Sequence, residues 1–105
     1  MYVMIYTTCT SRKEAGKIAK SLVKEKIVAC VNYFPVDSVY SWKGKIENSK
    51  EYVLLCKTVK SNVKKAEKRI NELHSYDCPA FIVYPAVYGS KDYLSWIKDN
   101  TLCSA

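Results

Sequence analysis

The stretch from Ser38 to Lys57 constrains this chain more than any other. It reads Ser-Val-Tyr-Ser-Trp-Lys-Gly-Lys-Ile-Glu, then Asn48-Ser49-Lys50, then Glu-Tyr-Val-Leu-Leu-Cys-Lys, which is two extended runs around a polar turn signal. Side chains of a strand alternate with period two, so Tyr40 and Trp42 share one face of the first run while Val39, Ser41 and Lys43 take the other. Traced back through Cys30, the ascending strand is long for a chain of this size. Part of this hairpin arm must project beyond any core that one copy builds. Tyr40 and Trp42 then need a cover, and the expected cover is another copy of the chain, which makes them candidate oligomer-interface residues.

With 105 residues, 49% of them hydrophobic, the sequence suits one domain over residues 1–105 that buries roughly two-thirds of its unfolded surface. It starts directly with the apolar run Tyr2 to Tyr6, without a basic leader, and no run approaches the roughly 20 apolar residues of a membrane span. A soluble, cytoplasmic product without a membrane partner is expected. The five cysteines, at 9, 30, 56, 78 and 103, are odd in number and form no Cys-x-x-Cys pair, so reduced thiols are expected rather than a zinc ribbon or a disulfide framework. The formal charge of +7 invites a nucleic-acid reading. Yet Lys13, Lys17, Lys20 and Lys24 repeat along one helical face, and Lys57, Lys60, Lys64, Lys65, Lys68 and Arg69 gather around a second helix without interleaved aromatics. Both read as solvated faces, and nucleic acid is not the expected partner.

Taken in order, Met1 to Thr7 is a continuously apolar strand, expected to be central. Ser11 and Glu14 match a capping box ahead of a helix from Arg12 to about Lys26, whose stripe is Ala15, Ile18, Ala19, Leu22 and Val23. A strand at Ile27 to Val31 follows, made an edge by Pro35, and the return strand is Glu51 to Thr58. Ser61 or Asn62 caps a second helix with the stripe Val63, Ala66, Ile70 and Leu73. Ala80 to Tyr84 is another edge strand, next to Pro85, and Ser90 precedes a short final helix. This β-α-β-β-α-β order, with strands two and four at the edges, predicts an α+β ferredoxin-like sandwich of strand order 4-1-3-2, both main helices on one face.

Chemistry is sparse. His74 is the sole histidine, and no nucleophile pattern or Gly-rich phosphate loop accompanies it, so no catalytic residues are assigned and no enzyme is expected. His74, Asp77 and Cys78 form a compact group of metal-ligand types where a helix gives way to a strand, and imidazole with thiolate suits copper or zinc. The alternative is structural: Asp77 caps the turn, Cys78 is a small buried residue and His74 faces solvent at the helix end.

Ala29-Cys30-Val31-Asn32, the block from Tyr40 to Glu47, Leu55-Cys56-Lys57-Thr58, His74 to Pro79 and Asp92 to Trp96 together resemble the CutA family, the divalent-cation tolerance proteins. The resemblance implies a ferredoxin-like protomer in a stable homotrimer built through its long hairpin strands, related in architecture to PII signalling proteins. It also implies a part in tolerance of copper and other divalent cations, with copper as a possible ligand and no cofactor required. The family's His-Pro-Tyr-x-x-Pro-Glu motif stands here as His74 to Ala80, with Ser75 in place of proline and Ala80 in place of glutamate. A cysteine of some copper-binding members corresponds to Thr7. Two functions stay open: a non-enzymatic metal-response or metal-binding trimer, and a PII-like regulatory module that takes a small anion or a partner protein in its intersubunit clefts.

Overall fold

A computed structural model describes residues 1–102; Cys103 lies outside them. The elements run β1 (Tyr2–Cys9), α1 (Arg12–Lys24), β2 (Cys30–Trp42), β3 (Lys45–Val59), α2 (Val63–Leu73), β4 (Ile82–Pro85) and α3 (Lys91–Asp99), with a 3-10 turn at Lys60–Asn62 leading into α2. All strands pair antiparallel in the order β2-β3-β1-β4, so the fold is ferredoxin-like with β1 and β3 central.

One face of the sheet packs on the helices. Ile5, Cys9, Leu54 and Cys56 meet Ala15, Ile18 and Leu22 of α1 and Ala66 and Ile70 of α2 in a fully buried core. Ser11 accepts the Glu14 N–H at 3.1 Å, as a capping box requires, but the Glu14 carboxylate reaches past Ser11 to the Thr10 N–H at 3.2 Å. α1 stops at Lys24 rather than Lys26 because Lys26 takes a left-handed φ of 58° and turns the chain inward. The turn buries the Ile27 carbonyl, which accepts from Thr58 Oγ1 at 2.7 Å and Asn62 Nδ2 at 3.0 Å. Asn62 therefore holds the Ile27 turn with its side chain and makes no side-chain cap on α2. Ser90 likewise precedes α3 without a side-chain cap bond.

The hairpin differs most from expectation. Its turn is Lys43-Gly44, and Asn48, Ser49 and Lys50 lie within β3 opposite Val39, Ser38 and Asp37. Lys43 and Gly44 have φ of 51° and 79°, the pair of positive values that a two-residue type I′ loop needs. Polar residues at 48–50 reflect an arm with water on both sides, not a break in the strand. β2 accordingly starts at Cys30 rather than Ile27 and runs through Pro35, which an edge strand tolerates. β4 is Ile82–Pro85, two residues shorter at its start than the expected strand from Ala80.

The other face of the sheet is only partly covered: Thr8 and Val53 are buried on it, and much of the rest is open. Register places Phe34, Leu55, Met4, Tyr6, Ile82 and Tyr84 on it, and Phe34, Ile82 and Tyr84 are 40%, 49% and 47% exposed. Alternation along β2 carries this face onto the arm at Tyr40 and Trp42.

Thr7 sits in the helix-side core with its hydroxyl unpartnered among the described residues. Replacing it by the near-isosteric valine removes a buried polar group that forms no bond, so Thr7→Val should stabilise the fold by about 1 kcal/mol. Urea midpoints of both proteins at one concentration check this, and a lowered midpoint would contradict it.

Candidate functional site

The segment from His74 to Ala80 joins α2 to β4 and walls a cleft at the root of the arm. α2 ends as the His74 N–H donates to the Ile70 carbonyl at 2.9 Å, after which His74 turns extended and sends its ring inward. That ring is fully buried. Its Nε2 lies 2.6 Å from the Thr8 carbonyl, and its Nδ1 accepts the Tyr76 N–H at 3.0 Å. An acceptor on one side and a donor on the other fix the neutral tautomer with hydrogen on Nε2. The ring also leans on Tyr76, centroids 4.8 Å apart.

Glu14 ties the same segment to α1. One carboxylate oxygen accepts from Thr10 and the other from the Ser75 N–H at 2.8 Å. A proline at this position, as in the motif that this segment resembles, would have no N–H to offer, so Ser75 makes a bond that proline cannot. Burial opposes the charge on Glu14, but the bonds from Ser75 and Thr10 outweigh it and hold the carboxyl below its ordinary 4.5.

The cleft, about 770 Å³, has Tyr40, Trp42 and Tyr76 as aromatic walls. Its charged groups are the carboxylates Glu47, Glu51 and Asp77, with Cys78 beside them. Burial raises the Tyr76 phenol, and the charge of Glu51 raises it further. On a chain of +7, this is a locally negative hollow.

These residues do not fit a metal site within one chain. Among the described residues no three His, Cys, Asp or Glu side chains converge as ligands. Asp77 and Cys78 line the cleft, while both nitrogens of His74 are occupied on the protein side. The structural alternative needs correcting too, because Cys78 is exposed and His74 is buried. Thr7 and Cys9 are both fully buried, and burial pushes the Cys9 thiol up to about 11 and the Cys56 thiol to about 12, far from ready metal-binding thiolates. Cys9, Cys30, Cys56 and Cys78 are free thiols.

Sequence reasoning named His74, Asp77 and Cys78 and missed Tyr76 and Glu14 as their supports. The capping box at Ser11 was the available signal for Glu14, though nothing in it pointed to a partner 61 positions away.

Known proteins share both sequence and fold with this chain. The family model described as CutA1 divalent ion tolerance protein matches residues 3–100. The chain belongs to the CutA1 family. A CutA relative named divalent-cation tolerance protein, from Archaeoglobus fulgidus, is 37% identical over 95% of this chain and 98% of its own length. The chloroplastic CutA of Arabidopsis thaliana is 39% identical over 94% of this chain, which spans only 55% of that longer protein. The crystal structure of CutA1 from Oryza sativa superposes with a TM-score of 0.95 at 34% identity, covering 98% of this chain and 95% of that one. No helix among the described residues is long and apolar enough to cross a membrane.

The Glu14 bonds give a pH dependence with a definite sign. A carboxyl held below its ordinary value in the folded state adds stability above about pH 4.5 and loses it as pH falls through the folded value. Glu14→Gln, which sets an amide donor against an N–H, should cost about 1 to 3 kcal/mol near neutral pH and flatten the acid limb of the stability profile. Equal acid limbs in denaturant titrations from pH 7 to pH 3 would show that the clamp carries no linkage.

Proposed function

We propose that this CutA1 protein serves divalent-cation tolerance as a homotrimer and catalyses no reaction. The observation that carries the assembly is the set of exposed apolar side chains on the open sheet face and its arm, Phe34, Ile82, Tyr84, Tyr40 and Trp42, which one chain leaves in water. Tyr40 is 43% and Trp42 59% exposed, so the arm is the natural contact with a neighbour. The trimer number rests on the family resemblance, and the names of the relatives support the tolerance role.

Copper contact, on this reading, is weak and shared. Asp77 and Cys78 offer donors at the cleft mouth, His74 joins only by giving up Tyr76 or Thr8, and the remaining ligands come from a neighbouring subunit or water. The PII-like alternative, an anion held in intersubunit clefts, is disfavoured at this cleft by Glu47, Glu51 and Asp77. A thermal-shift screen of divalent metals against nucleotides separates the two, since a ligand of the folded state raises the melting temperature.

Light scattering at micromolar concentration should give a particle three times the 12.0 kDa chain, and a 12.0 kDa particle would end the assembly reading. Trp42→Ala should weaken the assembly, by about 3 to 5 kcal/mol if the indole becomes buried and under about 0.5 kcal/mol if it stays in water. Calorimetric titration with Cu(II), wild type against Cys78→Ser and His74→Ala, should show weak binding that Cys78→Ser reduces. Tight binding indifferent to both substitutions would reject this cleft as the contact.

A further inference from the structure

A second hollow lies away from the arm. It is a groove of about 990 Å³ whose apolar lining includes Met1, Val3, Val59, Val63, Val83 and Pro85, with Tyr2 beside them. Val3 and Val59 are only 4% and 8% exposed, so the floor belongs to the packed body of the molecule. Register pairs Val3 with Pro85 and Val83 with Ile5 on the helix-covered side of the sheet, while Val59 pairs with Tyr2 on the other side, so the groove lies across the end of the sheet.

The charged groups at its rim have one sign. Lys60, Lys64 and Lys98, from the turn before α2, from α2 and from α3, line it beside Ser61, and no carboxylate does so among the described residues. The first turn of α2 carries no acidic residue either, so its positive dipole end goes uncompensated on the same side. Apolar floor and cationic rim together describe the complement of an amphipathic anion, and the volume falls within the range of small-molecule sites. We propose that this groove binds a small molecule with an apolar body and a single carboxylate or phosphate head, the body on the valines and the head among Lys60, Lys64 and Lys98.

The site is within one chain, so it stands or falls independently of the trimer and of copper. The test is calorimetric titration of the full-length protein in its native assembly with decanoate and with decyl phosphate, both below their micellar concentrations. One saturable site per chain is expected for at least one of them, and the tighter of the two identifies the head. Each CH2 removed from the tail should weaken binding roughly fourfold. Substituting Lys60→Gln, Lys64→Gln and Lys98→Gln together, all three exposed and remote from the core, should weaken it about tenfold without altering the melting temperature. Decyltrimethylammonium, with the opposite charge on the same tail, should not compete. The proposal is overturned if neither anion binds saturably, if the cationic detergent binds as tightly, if the triple substitution changes nothing, or if acetate and inorganic phosphate bind as well as their tailed counterparts.

Discussion

A sheet roofed by helices on one side has a second side to cover, and that requirement governs most of what is unusual in this molecule. α1 and α2 bury Ile5, Leu54 and Cys56, while Phe34, Ile82 and Tyr84, one residue out of phase, stay in water. Burying apolar area yields roughly 25 cal/mol per Å², so a strip of this kind is a strong drive to associate. The long β2 and β3 extend the same strip outward. Their length makes little sense for a lone chain and ready sense for one that reaches across a neighbour.

Within the protomer, polar groups act as fasteners between distant segments. The Ile27 carbonyl gathers Thr58 and Asn62, and Glu14 joins the start of α1 to the segment after α2. His74 locks that segment to the end of β1 through Thr8. His74, which suggests metal chemistry in a list, is engaged here in holding a loop. What is left for ligands is the shape and sign of two hollows, one acidic at the arm and one basic beside α2, on a chain whose overall charge describes neither.

The fold was legible because its signals are local and redundant. Helical stripes, the capping box and prolines in the outer strands gave strand order and helix face, each by a different mechanism. The arm's turn was not, since Asn48 and Ser49 look like a loop wherever strands are assumed to be half-buried, and this arm has no buried side. For the site, His74, Asp77 and Cys78 are neighbours in sequence, but sequence spacing does not say which way an imidazole turns. That is set by Thr8 and Tyr76, and the carbonyl of a strand 66 positions earlier leaves no mark in the residues around it.

The two-residue loop at Lys43 and Gly44 also sets the order in which contacts arise. β2 and β3 meet across that loop and lengthen pair by pair from Trp42 and Lys45, whereas β1 finds β3 only over the span from Cys9 to Tyr52. Closing a short loop costs less chain entropy than closing a long one, so the arm is the first part of the sheet able to form. Its aromatic face is then an early tertiary surface of the chain, and on the proposed trimer reading the last to be covered. The interval between folding and encounter is when the chain is most exposed to pairing with strangers, and it shortens as the concentration of finished copies rises.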